Sequence, residues 1–161
     1  ITSVMKSMTV SENIQLATDK IRENSLNFFS TFTNKNSVLD KIDFCLGQVG
    51  LIEANNQPVA SLSHGDCRKL EIAMALASDA KLLLLDEPMA GLGPSETKEM
   101  IALLNKLKGK QTILLVEHDM DAVFALADRI SVLVSGEIIA TGEPNNIRRD
   151  SKVQKAYLGE A

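Results

Sequence analysis

Two short apolar runs do most to restrict the fold: LLLLD at 82–86 and TILLVE at 112–117, with PSETKEMIALLNKLKG between them. A continuous apolar run of this length, stopped at once by charge or proline, suits a strand buried within a parallel sheet. The segment at 94–109 has helical periodicity, with Pro94 suited to a first turn and Gly109 to a C-terminal cap. Asp119 is placed to cap a further helix, MDAVFALADR, and ISVLVS at 130–135 then supplies a third strand. Strand, helix, strand, helix, strand after residue 80 predicts an α/β lobe with a parallel sheet. ISVLVS and EIIATG (137–142) flank Gly136 and are expected to form a hairpin or edge pair, with NNIRR and SKVQKAYLG as short helices after it.

Ahead of residue 80 the pattern is helical. Thr9-Val10-Ser11-Glu12 has capping-box spacing, and ENIQLATDKIREN after it carries a helical period. Residues 25–37, SLNFFSTFTNKNS, have no clear period and read as a connection. VLDKIDFCLGQVGL at 38–51 places Val38, Ile42, Cys45, Leu46 and Val49 on one face and stops at Gly50. Asn55-Asn56-Gln57-Pro58 is a loop. The expected organisation is therefore a helical subdomain over 1–78 followed by a sheet lobe over 79–161.

Composition narrows the function. The chain has 161 residues, 45% apolar and 24% charged, and its mean hydropathy is near zero, as for a globular domain with a real core. A net charge of −4 lacks the basic excess of a nucleic-acid binder. No apolar run reaches the roughly 18 residues of a membrane span, and nothing resembles a signal peptide. Cys45 and Cys67 have no CxxC spacing and fit a reducing compartment. The two histidines, His64 and His118, are too separated for a local metal motif.

Three places could carry chemistry. Asp86-Glu87 stand at the carboxyl end of the leucine run, where parallel sheets bind ligands. Either Asp86 begins a loop and Glu87 is solvated, or the two carboxylates face a hydrated Mg²⁺. TILLVE ends likewise at His118, which could cap or pack, or could donate to a phosphate oxygen or position a water. SLSHGD contains an S-x-x-D box from Ser63 to Asp66, a good helix start. The small residues Ser63 and Gly65 would also leave amides uncovered at the positive end of a helix dipole, which is an anion site.

In order and spacing these pieces resemble the ATP-binding subunits of ABC transporters. LSHGD followed by KLEIAMALA, then LLLLDEP, AGLGPSE and LLVEHD carry the resemblance, which runs essentially end to end. Leu62–Asp66 match the signature motif, Leu82–Glu87 the Walker B strand, Ala90–Gly93 the D-loop and His118 the switch histidine. The wording, with EIAMALA, VEHDMDAVFALADRI and a terminal AYLGE, is closest to importers of branched-chain amino acids and related amides. The resemblance implies a P-loop NTPase fold, ATP hydrolysis and a place on the cytoplasmic face of a membrane. Asp86 would hold Mg²⁺ mainly through water, Glu87 would polarise the attacking water, and His118 would contact the γ-phosphate. Ser63, His64, Gly65 and Asp66 would serve ATP held by the opposite subunit, with Gly91 and Gly93 in the D-loop. The implied partners are a second ATP-binding subunit in a homo- or heterodimer, transmembrane permease subunits docked on the helical subdomain, and indirectly a solute-binding protein.

The chain departs from the family pattern in its signature, its D-loop and its phosphate cradle. His64 replaces the usual glycine, Asp66 the usual glutamine or glutamate, and Gly93 a common aspartate. The P-loop, G-x-x-x-x-G-K-[ST], is absent from the 161 residues: the one Gly-Lys pair, Gly109-Lys110, is followed by Gln111 and has Leu104 where the first glycine belongs. The aromatic base-stacking loop and the Q-loop glutamine are likewise missing and are expected ahead of Ile1, so the chain reads as the C-terminal part of a nucleotide-binding domain. Two other readings remain open: a fragment without catalysis, acting as an interaction module, and a soluble ABC ATPase acting on DNA or ribosomes.

Overall fold

The computed structural model describes residues 4–23 and 35–158. Most of the connection expected at 25–37 lies outside them, and its last three residues belong to the second helix. The described chain forms two compact units, one through Val116 and one from Glu117 onward. The expected change from helices to alternating elements at 78/79 falls inside the first unit, between the end of one helix at Ala77 and the start of a strand at Leu82.

Three helices open the first unit: α1 (Val10–Glu23), α2 (Lys35–Val49) and α3 (His64–Ala77). The capping box forms as spaced. Glu12 Oε2 accepts from the Thr9 amide at 2.7 Å, and Thr9 Oγ1 accepts from the Glu12 amide at 3.2 Å. These bonds from Thr9 hold the Glu12 carboxyl below its ordinary value, so its contribution is present above that value and is lost as pH falls. Ile42, Cys45, Leu46 and Val49 of α2 are buried, and Gly50 (φ +77°) turns the chain in the left-handed region, where a side chain would be strained. Leu70, Ile72, Ala73 and Ala77 of α3 and Val10 and Ile14 of α1 complete the helical core.

Two buried residues of this core, Asn13 and Thr18, are polar, and Thr18 bonds back to its own helix, its Oγ1 donating to the Gln15 carbonyl at 2.7 Å. Asn13 is fully enclosed in the first turns of α1. Its Oδ1 accepts from the Met5 amide at 2.7 Å, and its Nδ2 donates to the Met5 carbonyl at 3.1 Å and the Thr9 carbonyl at 2.9 Å. The side chain thus replaces a strand partner for the segment that leads into α1.

Next come β1 (Leu82–Asp86), α4 (Pro94–Leu107) and β2 (Thr112–Val116). β1 and β2 pair in parallel from Leu82 opposite Thr112 to Asp86 opposite Val116, and α4 is their crossover. It buries Met100, Leu103, Leu104 and Leu107, a strict i, i+3, i+4, i+7 stripe. One expectation is corrected. The runs LLLLD and TILLV are not enclosed on both faces: Leu83 is buried, whereas Leu84 and Leu114 are 68% and 56% exposed, with Leu82 and Val116 on the same open face. Side chains alternate along a strand, and only one face of this two-stranded sheet is covered by described residues. The strand expected at 130–135 lies in the second unit, in the pairing expected with 137–142.

That strand, β3 (Ile130–Val134), pairs antiparallel with β4 (Glu137–Gly142) in the second unit. Ser135 and Gly136 (φ +50° and +85°) form a two-residue turn whose positive dihedrals match the twist of a hairpin. Asp119 Oδ1 accepts from the Ala122 amide at 3.1 Å, capping α5 (Met120–Leu126) as spaced, although the helix stops three residues short of Arg129. After the hairpin follow α6 (Pro144–Arg149) and α7 (Ser151–Val153), the latter running into a wider π turn to Leu158. Ile130, Val132, Ile147 and Val153 form the core of this unit. No helix among the described residues is long and apolar enough to cross a membrane.

Replacing Asn13 with alanine removes the acceptor of the Met5 amide, while the Met5 carbonyl keeps the bond from the Met8 amide. The expected cost is about 2 kcal/mol, read as a lower urea midpoint. Asn13→Asp, which keeps the acceptor and loses both donors, is expected to be destabilising as well.

Candidate functional site

The helix start at 63–66 is built from a serine cap. Ser63 is extended (φ −62°, ψ 164°), and its Oγ accepts from the Asp66 amide at 3.0 Å, while its carbonyl accepts from Cys67 N at 3.0 Å. A helix leaves its first amides without partners inside the helix. Ser63 takes one of them at Asp66, so the His64 and Gly65 amides head α3 at its positive end. Gly65 is buried, while Ser63 and His64 are exposed. Asp66 accepts from Lys69 Nζ at 3.3 Å, and the same ammonium reaches Glu99 of α4 at 2.8 Å. Burial alone would lower Lys69, but the hydrogen bonds and charges of Glu99 and Asp66 outweigh it and hold the group above its ordinary value. The pairing is therefore fully present below the ordinary lysine range and is lost only as pH rises through the raised value.

The carboxyl end of β1 lies beside the end of β2. Asp86 sits opposite Val116, and the Glu87 amide donates to the Val116 carbonyl at 2.8 Å. Both carboxylates are exposed. Glu87 adopts φ +45°, a left-handed conformation costing a residue with a Cβ roughly 1 kcal/mol. The ladder bond on one side and the Ala90 amide, which donates to the Glu87 carbonyl at 3.0 Å, hold it there. Pro88 and Met89 are buried below the turn, and Leu92 N closes it on the Met89 carbonyl at 3.1 Å. Gly91 (φ +77°) is the second left-handed position. Spacing marked Glu87 as a candidate; its backbone conformation has no signal in the residue type.

The structure brings the turn and the helix start together. A Cβ on Gly91 would lie 3.4 Å from His64 Nε2, so the imidazole rests over that glycine. A Cβ on Gly65 would lie 2.8 Å from Glu96 Oε1, closer than carbon and oxygen tolerate. The other oxygen of Glu96 accepts from the Gly93 amide at 3.1 Å, and Thr97 N bonds the Gly93 carbonyl at 2.9 Å, starting α4. Glu96 was not among the residues singled out from sequence. The available signal was its position three residues after Gly93, at the start of a helix.

His118 heads the second unit. Its amide donates to Glu117 Oε2 at 3.1 Å, with the Asp119 amide at 3.4 Å from the same oxygen. Ser63, His64, Gly65, Asp66, Asp86, Glu87, Gly91 and Gly93 all belong to the first unit. No group of three or more His, Cys, Asp or Glu among the described residues could hold a metal ion by itself. Asp86 and Glu87 are exposed oxygen donors at the strand end, the donor type that Mg²⁺ takes one or two of beside nucleotides. Burial raises both thiols, Cys45 and Cys67, above their ordinary value, which makes them poor nucleophiles.

Comparison with known proteins bears on the family and the fold. The family model "ABC transporter" matches residues 2–90, and the model "Branched-chain amino acid ATP-binding cassette transporter" matches residues 137–161. The chain is 39% identical over 167 aligned positions to the high-affinity branched-chain amino acid transport ATP-binding protein LivG of Escherichia coli K12. It is 38% identical to the corresponding protein BraF of Pseudomonas aeruginosa. Each alignment takes in 98% of this chain and 65% of the relative, so the chain spans about two thirds of the length of these relatives. Among solved structures, the ADP conformation of an ATP-binding cassette superposes with a TM-score of 0.76 at 30% identity, over 96% of this chain and 64% of that one. A nucleotide-free cassette gives 0.76 at 28% identity, over 99% and 67%. The fold is that of an ABC nucleotide-binding domain, with a parallel sheet and an antiparallel hairpin.

Two substitutions test this geometry. Ser63→Ala removes the cap and is expected to cost about 1 kcal/mol. Gly91→Ala places a Cβ at a left-handed position against His64 and is expected to cost about as much again. Urea midpoints of the two variants read both effects, and a midpoint unchanged in either contradicts the corresponding contact.

Proposed function

Because the chain belongs to the ABC transporter ATP-binding family, we propose that it serves as the ATP-hydrolysing subunit of an importer for branched-chain amino acids or related small solutes. One observation carries the reading: a capped, glycine-bearing helix start lies against the turn that follows a strand ending in two exposed carboxylates. The names of the relatives and the match at 137–161 support the choice of solute.

Each residue then has a task. Glu87, fixed at the strand end by its own backbone, takes the proton of the attacking water as general base. Asp86 holds Mg²⁺ mainly through water, and that ion, when bound, neutralises charge on the phosphates. The amides of His64 and Gly65, with the Ser63 hydroxyl, meet the γ-phosphate of ATP carried by an opposite ATP-binding subunit, alike or different. Asp66 keeps that helix start ordered through Lys69. His118 contacts the γ-phosphate and responds to its loss. Gly91 and Gly93 let the turn pass close to the signature helix. Catalysis of this kind is positioning and charge stabilisation, with little covalent work for the protein.

The phosphate cradle is proposed to come from residues not among the 161, since no G-x-x-x-x-G-K-[ST] run occurs in them. The open face carrying Leu82, Leu84, Leu114 and Val116 supports this, because a parallel sheet is stable when both faces are covered. Docking of the helical region on transmembrane permease subunits, an indirect link to a solute-binding protein, and a peripheral place on the cytoplasmic membrane face complete the proposal. The net charge of −4 argues against nucleic acid as a partner.

The test is ATP turnover with Mg²⁺, measured on the 161 residues alone and with the preceding part of an ABC domain supplied in trans. Turnover is expected only in the second case, and Glu87→Gln is expected to lower it at least 100-fold while ATP stays bound. Steady turnover by the 161 residues alone would overturn the proposed division. Full activity of Glu87→Gln would remove the assigned base.

A further inference from the structure

We propose that Glu96 is a positioning residue that locks the Ser63–Asp66 turn to the Gly91–Gly93 turn, and that Gly65 must be glycine to leave room for it. The functional consequence rests on the reading of Ser63–Asp66 as a phosphate-facing turn. The lock itself rests only on geometry.

Glu96 lies in the first turn of α4 and uses both oxygens. Oε2 accepts from the Gly93 amide at 3.1 Å, which fixes the carboxylate at the start of its own helix. Oε1 and the carboxyl carbon stand 2.8 and 3.2 Å from where a Cβ of residue 65 would be. A free glutamate would swing away from such a Cβ at little cost. This one cannot do so without giving up the Gly93 bond, so the space at residue 65 and the cap of α4 are one constraint. Two other contacts run in parallel with it. The His64 imidazole lies over Gly91, and Lys69 joins Asp66 to Glu99. The start of α3 is therefore registered against the start of α4 at three levels, with Glu96 in the middle.

The consequence concerns how the helix start is presented. The 87–93 turn hangs from Glu87, whose amide is bonded to β2. Through Glu96, the orientation of the His64 and Gly65 amides follows from the same strand end that carries Asp86 and Glu87. The site a subunit lends to its neighbour and the carboxylates it uses for itself then move as one piece.

A double-mutant cycle in the 161-residue chain tests the lock without nucleotide. The readout is residue-resolved amide exchange at Asp66, Cys67 and Gly93, with the β3–β4 hairpin as internal control. Glu96→Ala and Gly65→Ala are each expected to speed exchange about fivefold at the helix start, leaving the hairpin unchanged. Gly65→Ala/Glu96→Ala is expected to match Glu96→Ala alone, because the clash disappears with the carboxylate. Glu96→Gln, which keeps an acceptor for the Gly93 amide, is expected to retain wild-type protection. Multiplying effects in the double variant, or unchanged exchange in Glu96→Ala, overturns the lock. Should Gly65→Ala fail to fold, recovery of folding in Gly65→Ala/Glu96→Asp supports it, and continued failure overturns it. In the assembled transporter, Glu96→Ala is expected to lower kcat for ATP with KM unchanged. An unaltered kcat beside loosened exchange overturns the positioning role. Absence of turnover in the wild-type assembly overturns the proposed function and leaves the lock to be decided by the exchange cycle.

Discussion

The parallel pairing of β1 with β2 is the constraint from which the first unit follows. A parallel pair cannot be closed by a tight turn, so the chain between Asp86 and Thr112 must travel the length of the sheet and return. It does so through α4, whose single apolar stripe at Met100, Leu103, Leu104 and Leu107 leaves its first turn free for polar work. The same pairing puts both carboxyl ends on one side. The Glu87 amide completes the ladder there, and this bond holds Glu87 in a conformation that its residue type disfavours. A strained residue at a strand end persists when its surroundings over-determine it. Here a ladder bond before it, a turn bond after it and buried Pro88 and Met89 below provide that support.

Much of this was legible in the residues, because the signals are local. The boxes at Thr9–Glu12 and Ser63–Asp66, the cap at Asp119 and the glycines at 50 and 136 each depend on neighbours within four residues, and each forms as spaced. What failed was environment. LLLLD reads as enclosed whether or not a covering layer is among the residues at hand, so the exposure of Leu84 has no sequence signal. A hairpin turn at Ser135-Gly136 pairs β3 locally with β4, as the glycine between the two runs indicates. Asn13 has a related reason: an asparagine in a helix normally faces solvent, and a bend bringing Met5 back onto α1 supplies two of its three partners.

The candidate site divides along the same line. Residues recognised by type, such as Asp86, Glu87, His118 and the Ser63–Asp66 segment, stand at strand ends or helix starts, where sequence order alone places them. Spacing after Gly93 marks Glu96 as a helix-start residue, but not its contact across 31 positions with a residue that has no side chain.

Glycine at the helix start gains a meaning from this contact. A helix beginning Ser-His-Gly-Asp sacrifices helical propensity at its second residue, which alanine would improve by up to about 1 kcal/mol. Exposure of an amide to a ligand does not by itself require that loss, since alanine offers the same amide. The volume taken by the Glu96 carboxylate does require it, because a methyl group and that oxygen cannot both occupy the space. The two roles reinforce one another: an amide aimed at an anion is useful only if its direction is fixed, and the carboxylate that fixes it needs the glycine beside it. The negative charge of Glu96 is also drawn off by the Gly93 amide and the start of α4, a helix N-terminus that favours a carboxylate. Its nearness to the amides proposed to face a phosphate is thereby made tolerable.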